Sequence, residues 1–226
     1  MNTSLILAGG TGTRLGSNIP KQYIEVCGKP IISFCLETFF SHENIDAVQI
    51  VADEMWHEYI SERISSNKFM SFSTPGATRQ LSIYNGLCDI KKYSSDDDRI
   101  IIHDAARPLV SSEIITACFE ALNEHDCVLP VLPMKDTVYS SEDGRCISGL
   151  VERSKIYAGQ APEAFIFGKY LMANEILMPD KILKINGSTE PAVIAGLDVA
   201  LIDGDEKNFK ITTKTDLEKF KEYIKL

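Results

Sequence analysis

Residues 5–22 read LILAGGTGTRLGSNIPKQ, a short apolar run followed by glycines and then by two cations, Arg14 and Lys21. Glycines in such a loop allow main-chain N–H groups to turn toward an anion. Arg14 adds a planar bidentate donor, and Lys21 adds a mobile point charge. The loop therefore predicts a site for a triphosphate, although a tight turn with two solvated cations is an alternative that the loop alone leaves open.

The loop matches neither of the two common nucleotide-binding fingerprints. Leu15 stands where a dinucleotide-binding loop has its third glycine, and the chain contains no G-x-x-x-x-G-K-[ST] sequence. A dinucleotide site also needs an acidic residue about 20 positions further on, after a second strand, whereas Glu25 precedes the first predicted helix. A nicotinamide-dependent oxidoreductase is therefore a weak alternative.

Composition limits the kind of partner that could supply the anion. The chain has 226 residues, of which 44% are hydrophobic and 24% charged, and its net charge is −9. A protein this acidic lacks the basic face that a nucleic acid partner requires. We therefore expect a small anionic ligand, held by a local cluster of cations and backbone amides.

The cysteines and the first residues indicate a compartment. Six cysteines are scattered without a C-x-x-C pair or zinc-like spacing. The segment MNTSLILAGG lacks the cationic region of a secretory signal, and no stretch approaches the roughly 18 apolar residues of a membrane helix. We expect a cytoplasmic protein with reduced thiols and no membrane partner.

The elements that must position these groups alternate short apolar runs with amphipathic stretches. Strands separated by helices form βαβ units, so we expect an α/β fold with a mainly parallel, twisted sheet and helices on both faces. Periodicity predicts strands over 4–7, 47–51, 69–72, 99–103, 127–132 and 199–202, and helices over 30–40, 53–64, up to 87, 111–122, 165–177 and 215–224.

Ligands of such sheets bind beyond the carboxyl ends of the strands, where the glycine loop and the residues after His103 both fall. Residues 134–157 break the alternation and contain turn signals at 142–144, which predicts a projecting β-arm. That arm could be an ordinary surface hairpin or a dimerising element. No repeat or linker is present, so we expect a single domain over residues 1–226.

The order Ala-Gly-Gly-x-Gly-x-Arg-x-Gly, followed by Pro-Lys-Gln, resembles nucleotidyltransferases that join a sugar or polyol phosphate to a nucleoside monophosphate. Within that group it is similar to the cytidylyltransferases acting on 2-C-methyl-D-erythritol 4-phosphate and on ribitol 5-phosphate. The resemblance implies a three-layer, Rossmann-like nucleotidyltransferase fold, with a protruding β-arm that the family uses for dimerisation. It recurs in GATRQLSIYNGL (76–87), HDAARPLV (103–110), MKDTV (134–138), GQAPEAF (159–165) and NFKITTKTDL (208–217).

The reaction that the resemblance implies is attack by a phosphate monoester on the α-phosphorus of CTP. A monoester has a second pKa of about 6, so at neutral pH it is already largely dianionic and needs no general base. The resemblance implies that Arg14, Lys21 and Lys210 are catalytic cations and that Asp104 binds Mg²⁺ or another divalent cation. His103 is assigned no catalytic role.

The resemblance also implies two sets of binding residues. Arg79 lies within one of the matching motifs but is left out of the base contacts, because it could face solvent. Arg153 lies on the predicted arm, so in a homodimer it could enter the neighbouring subunit's site. The nucleotide set is Ala8, Gly9, Gly10, Thr11, Gly12, Gly76 and Ser82, and the acceptor set is Arg107, Thr137, Arg153 and Thr189.

Two places on the acceptor side depart from the family pattern. Ala161-Pro162-Glu163 stands where the family usually has Thr-Pro-Gln, and Ser188-Thr189-Glu190-Pro191 displaces the acid that usually follows the threonine. The HDAARP motif favours 2-C-methyl-D-erythritol 4-phosphate as the acceptor, for the isoprenoid precursor pathway. Ribitol 5-phosphate and glycerol phosphate, for cell-surface polysaccharide, are alternatives. An inactive CTP-binding module is a further alternative. The presence of all four candidate phosphate and metal contacts, Arg14, Lys21, Asp104 and Lys210, argues against it.

Overall fold

The computed structural model describes residues 1–10 and 19–225. Its strands are β1 (Asn2–Leu7), β2 (Glu25–Val26), β3 (Lys29–Pro30), β4 (Ala47–Val51), β5 (Phe69–Ser73), β6 (Arg99–Asp104), β7 (Cys127–Pro133), β8 (Val138–Ser140), β9 (Gly149–Val151), β10 (Tyr157–Gly159), β11 (Glu163–Ile166) and β12 (Val199–Asp203). Its helices are α1 (Ile31–Ser41), α2 (His57–Ser61), α3 (Arg79–Ile90), α4 (Ser112–Ala121), α5 (Phe167–Glu175), α6 (Glu190–Ile194) and α7 (Lys214–Ile224).

Eight of these strands form one sheet in the order β5-β4-β1-β6-β11-β7, with β10 and β12 also paired to β7. Strands β5, β4, β1 and β6 are parallel, and β12 is parallel to β7. Strands β10 and β11 run antiparallel to their neighbours. Leu7 pairs with both Val51 and Asp104, so the carboxyl ends of β1, β4 and β6 are level. The predicted mainly parallel sheet is confirmed.

Side chains that alternate along each strand divide the core between the two faces of the sheet. Ile6 and Ile101 pack with helices α1 and α4 on one face. Leu5, Ile100 and Ile102 pack with helices α3 and α5 on the other. The continuous apolar run of β6 is what a strand covered on both faces requires, and it produces the three layers that were predicted.

The structure corrects two of the predicted elements and adds one. Residues 163–166 form β11, where a helix was predicted to begin at 165, because this segment pairs with both β6 and β7. The helix predicted over 53–64 is a 3-10 turn (Glu54–Trp56) followed by the short α2. Helix α6 was not predicted, and residues 208–213 form no regular element.

The predicted arm is present as the β8–β9 hairpin. Asp143 Oδ1 accepts hydrogen bonds from the backbone N–H groups of Arg145 and Cys146 at 2.8 and 2.9 Å, which closes the turn where turn signals were read. Tyr139 and Leu150 are 56% and 70% exposed, so the hairpin stands away from the core of its own chain. Among the described helices, none is long and apolar enough to cross a membrane.

Candidate active site

A cleft of about 420 Å³ opens where β1, β4 and β6 end. The last residue of each strand contributes to its wall, as expected for a parallel sheet whose strand ends are level. The loops that follow β1, β5 and β6 supply most of the remaining wall. The lining residues are Leu7, Gly9, Gly10, Lys21, Gln22, Val51, Gly76, Ala77, Thr78, Arg79, Ser82, Asp104, Ala106, Lys210 and Thr212.

The start of the glycine loop is fixed by hydrogen bonds from the Pro-Lys-Gln segment. Gln22 Nε2 donates to the carbonyl oxygens of Ala8 and Gly10 at 2.5 and 2.8 Å, and Tyr23 Oη donates to Ala8 at 3.0 Å. The N–H of Ala8 donates to the carbonyl of Val51 at 2.8 Å. Ala8 is therefore buried beneath the loop with both backbone groups bonded within the protein, and Gly9 and Gly10 line the cleft.

A second loop, between β5 and α3, forms the opposite wall. The side chain of Thr78 caps α3 by accepting a hydrogen bond from the N–H of Leu81 at 3.1 Å. Ser82 Oγ accepts from the N–H of Gly76 and donates to the carbonyl of Thr78, both at 2.9 Å. A Cβ atom on Gly76 would lie 2.6 Å from Leu81, so only glycine fits there.

Asp104, the last residue of β6, lies among three cations. Its Oδ1 accepts a hydrogen bond from Arg79 Nε at 3.1 Å, and its Oδ2 lies 2.9 Å from Lys210 Nζ and 3.6 Å from Arg107 Nε. Burial by itself favours the neutral acid, but these cations dominate and hold the pKa of Asp104 well below its usual range. Asp104 is therefore an ionised carboxylate in the cleft wall.

Lys21 and Lys210 both reach the cleft, from segments far apart in the chain. Lys21 Nζ donates to the carbonyl of Ile211 at 2.6 Å, which ties the Pro-Lys-Gln segment to the Asn-Phe-Lys-Ile-Thr segment. Lys210 contacts Asp104 and is about one-third exposed. In a protein of net charge −9, this concentration of cations makes the cleft suited to an anionic ligand.

Arg107 and His103 support the wall from behind. Arg107 Nη1 donates to the carbonyl of Asn208 at 2.7 Å, and the Arg107 side chain is 12% exposed. His103 Nε2 bonds to the carbonyl of Arg107 at 2.9 Å. Burial lowers the pKa of His103 to about 4, so at neutral pH it is an uncharged buried histidine, consistent with giving it no catalytic role.

The acceptor-side departures from the family pattern lie together in the structure. Glu163 on β11 is buried and accepts hydrogen bonds from the hydroxyls of Ser188 and Thr189. Burial raises the pKa of Glu163, while Arg79 and the two hydroxyls oppose that rise. The substitution at 163 and the altered sequence at 188–191 are thus coupled by direct contact.

The structure brings many, but not all, of the predicted site residues to the cleft. Gly9, Gly10, Lys21, Gly76, Ser82, Asp104 and Lys210 line it. Ala8 lies beneath the loop, Arg107 lies behind the wall, and Thr189 is bonded to Glu163. Thr137 and Arg153 are exposed at the base of the arm and do not line this chain's cleft. Thr11, Gly12 and Arg14 lie outside the described residues.

Arg79 and Gln22 are among the lining residues that sequence reasoning missed. Arg79 does not face solvent: it begins α3, lines the cleft and binds Asp104. Its position one residue after a Thr cap, at a helix N-terminus that follows a strand, was the available signal. Gln22 directly follows Lys21, and its role in holding the loop follows only from the turn that aims its amide at Ala8.

The sequence matches one known family over nearly its whole length. The family model for 2-C-methyl-D-erythritol 4-phosphate cytidylyltransferase matches residues 3–225. The chain belongs to this family. The predicted cytidylyltransferase, an enzyme of the nucleotidyltransferase class, is thereby confirmed.

Individual family members carry two different names. A ribitol-5-phosphate cytidylyltransferase of Vibrio parahaemolyticus is 33% identical, over 99% of this chain and 96% of that protein. A 2-C-methyl-D-erythritol 4-phosphate cytidylyltransferase of Geobacter metallireducens is 34% identical, over 98% of this chain and 97% of that protein. The chain is thus similar, at near-equal identity, to relatives named for two different acceptors.

Solved structures share the fold. The 4-diphosphocytidyl-2C-methyl-D-erythritol synthase of Anaerococcus prevotii superposes with a TM-score of 0.84 at 24% identity, over 100% of this chain and 96% of that one. The Francisella tularensis 2-C-methyl-D-erythritol 4-phosphate cytidylyltransferase has a TM-score of 0.81 at 25% identity, with 97% of both chains covered. The Rossmann-like nucleotidyltransferase architecture is confirmed.

Gly9→Ala tests the close approach of the two loops. A Cβ atom at residue 9 would lie 2.6 Å from the Pro75 ring, whereas a Cβ at residue 10 meets no described atom within 4 Å. We expect Gly9→Ala to lower the free energy of unfolding by about 1–3 kcal/mol, as other overpacking substitutions do. Urea denaturation measures the change. Gly10→Ala is the matched control, and equal losses in the two variants would contradict this account of the loop.

Proposed function

We propose that this protein transfers a cytidylyl group from CTP to a polyol phosphate. The observation that carries the proposal is the cleft between two glycine-containing loops, which Lys21 lines and in which Arg79 and Lys210 bind the ionised Asp104. An oxygen of the acceptor phosphate would form a bond to the α-phosphorus of CTP. The bond from that phosphorus to its bridging oxygen would break, and pyrophosphate would leave with the electron pair.

The protein's task in this reaction is to bring two anions together and to stabilise the added charge. The nucleophile is already ionised, so no side chain needs to remove a proton. Lys21 and Lys210 would contact phosphate oxygens, with Arg14 from the glycine loop. Backbone and hydroxyl groups of Gly9, Gly76 and Ser82 would face the nucleoside, where unpaired polar groups would penalise a wrong base.

Asp104 has the chemistry to hold Mg²⁺. Carboxylate and phosphate oxygens are the ligands that Mg²⁺ prefers, and an ionised carboxylate offers about four lone-pair sites, of which Arg79 and Lys210 take only part. Within residues 1–10 and 19–225, no group of three or more His, Cys, Asp or Glu side chains could hold a metal alone. The phosphates of CTP would therefore complete the ligand set, and the bound ion would neutralise their charge.

We propose 2-C-methyl-D-erythritol 4-phosphate as the acceptor, on the strength of the HDAARP motif at 103–108. Ribitol 5-phosphate is the second candidate, favoured by the relatives of that name in Vibrio parahaemolyticus and Streptococcus agalactiae. Arg107, Thr137, Arg153 and Thr189 are the proposed acceptor contacts. We also propose a cytoplasmic location, which the six free cysteine thiols favour.

The arm supports a proposal of dimerisation. Arg153 Nη1 donates to the carbonyl of Lys135 at 2.6 Å, at the base of the hairpin, and the arm exposes Tyr139 and Leu150. Exposed apolar side chains on a projecting hairpin are typical of an interaction surface. In a homodimer joined by the arms, Arg153 would contribute to the partner subunit's acceptor site.

The acceptor is tested by supplying one polyol phosphate at a time with CTP and Mg²⁺. We expect pyrophosphate release with 2-C-methyl-D-erythritol 4-phosphate, and a kcat/KM at least about tenfold lower with ribitol 5-phosphate and with glycerol phosphate, because contacts in the transition state discriminate between acceptors. A coupled pyrophosphate assay gives the rates. A higher kcat/KM with ribitol 5-phosphate than with 2-C-methyl-D-erythritol 4-phosphate would make ribitol 5-phosphate the proposed acceptor. Tight CTP binding without release from any acceptor would instead indicate a binding module.

Asp104→Asn and Arg14→Ala test the charged groups. Each is expected to lower kcat/KM at least roughly a hundredfold, the scale of preorganised electrostatic groups. Asp180→Asn is the control for the first variant, since Asp180 is exposed and remote from the cleft lining. Activity within about threefold of the parent would remove either assignment.

Mixing two inactive variants tests whether Arg153 acts across a dimer. If Arg153 serves the partner's site, mixed dimers of co-expressed Arg153→Ala and Lys210→Ala chains should show about half of the parent activity, because one of their two sites is intact. Purified mixed dimers are assayed for pyrophosphate release, with each variant alone as the baseline. Failure to regain activity in confirmed mixed dimers would assign Arg153 to its own subunit.

A further inference from the structure

The buried carboxyl group of Glu163 lies beside the cleft and has no part in the transfer described above. Glu163 is the first residue of β11 and pairs with Ile102 of β6, and its side chain is 10% exposed. The family pattern usually has glutamine at this position, so the acid is a departure from that pattern. A buried acid is costly unless its oxygens are bonded, so its partners determine what it does.

Two hydroxyl groups from the segment before α6 bind this carboxyl. Ser188 Oγ donates to Oε1 at 2.5 Å, and Thr189 Oγ1 donates to Oε2 at 2.7 Å. Arg79 Nη2 lies 3.9 Å from Oε1. Burial raises the pKa of Glu163, and the two donors and the positive charge of Arg79 oppose that rise.

The same hydrogen bonds continue to the wall of the cleft. Ser188 Oγ accepts from Arg79 Nη1 at 2.6 Å, and Arg79 Nε donates to Asp104 Oδ1 at 3.1 Å. A guanidinium can only donate, so Ser188 Oγ accepts from Arg79 and donates its own hydrogen to Glu163. Segments from β11, α3 and β6 and the residues before α6 are thereby held in one arrangement.

Thr189 binds the other carboxyl oxygen of Glu163, at the end of this hydrogen-bonded group that is opposite to Asp104. It is partly exposed, and its single hydroxyl hydrogen is donated to Glu163. Its oxygen therefore presents only lone pairs to a ligand. Such an oxygen can accept a hydrogen bond from a ligand hydroxyl, but it cannot donate one to a phosphate oxygen.

We propose that Glu163 is a positioning residue that sets the hydrogen-bond polarity of Thr189, so that Thr189 recognises a hydroxyl group of the acceptor rather than its phosphate. The inference rests on the proposed transfer to a polyol phosphate and narrows it, because the acceptor must bring a free hydroxyl to Thr189. The phosphate group of the acceptor would be bound by the cations of the cleft. A glutamine at 163 could instead donate its amide N–H to Thr189 and release the threonine hydrogen toward the ligand.

The test measures KM for the acceptor and for CTP in four variants. Thr189→Val removes the hydroxyl without changing the shape of the side chain, and Thr189→Ser retains it. Glu163→Gln keeps the shape of residue 163 but replaces one carboxyl oxygen with an amide group that donates a hydrogen bond. The double variant combines Glu163→Gln with Thr189→Val. CTP affinity by calorimetry and the melting temperature report whether each variant is folded. Because Thr189 is partly exposed, we expect Thr189→Val to fold, and this variant alone decides the test if Glu163→Gln does not fold.

We expect Thr189→Val and Glu163→Gln each to raise the acceptor KM roughly three- to tenfold, the scale of one neutral hydrogen bond, with CTP KM unchanged. Thr189→Ser should recover most of the affinity. The double variant should match Thr189→Val alone, because Glu163 acts through Thr189. Acceptor analogues that each lack one hydroxyl identify the group that Thr189 binds. With one of these analogues, the KM of the parent should rise to the value that Thr189→Val shows with the intact acceptor. Thr189→Val itself should show the same KM with that analogue as with the intact acceptor.

Two results would overturn the inference while leaving the proposed function intact: an unchanged acceptor KM in Thr189→Val, or effects of the two substitutions that add in full. A parent protein that releases no pyrophosphate with any acceptor would overturn the proposed function, and this inference with it. The parent assay and the variant comparison therefore distinguish the two failures.

Discussion

The ion pairs around Asp104 are the interaction on which the rest of the site depends. Arg79, Arg107 and Lys210 come from three separate parts of the chain, and each would repel the others if it stood alone at this strand end. The carboxylate of Asp104 offsets that repulsion, so the cations are in place before any anion arrives. Preorganised charge of this kind need not be rearranged during reaction, which is the condition under which electrostatic stabilisation is effective.

The parallel sheet supplies the place where this can happen. Because β1, β4 and β6 end level with one another, the loops after them face one cleft although they are far apart in sequence. Close approach of the loops requires residues without side chains at Gly9 and Gly76. Gln22 then spans the base of the first loop with two hydrogen bonds, so a glycine-rich segment begins in a defined direction.

The two sides of the cleft differ in how closely they follow the family pattern. The CTP side retains its motifs, whereas the acceptor side carries an alanine at 161, an acid at 163 and an altered segment at 188–191. Contacts from Glu163 to Ser188 and Thr189 show that the changes at 163 and at 188–191 are physically connected. Relatives named for two different polyol phosphates are consistent with a common nucleotide site beside a variable acceptor site.

Much of the fold follows from local patterns. The run Ile100–Ile102 can only be a strand covered on both faces, and the turn chemistry around 142–144 identifies the arm. A helix was predicted from residue 165, within the strand at 163–166, because a short apolar run has no clear period of its own. Its strand conformation comes from hydrogen bonds to β6 and β7, which no local pattern reveals.

The sequence by itself indicated the reaction class through its resemblance to a known family. It also placed the glycine loop and Asp104 at strand ends, because motif spacing and alternation are local properties of the chain. Only the tertiary structure decided that Arg79 turns into the cleft and that Glu163 binds Thr189, 26 residues away along the chain. The direction of a side chain depends on its partners, and those partners are brought to it by the packing of distant elements. A hydroxyl's single hydrogen likewise has no fixed direction until a neighbour accepts it.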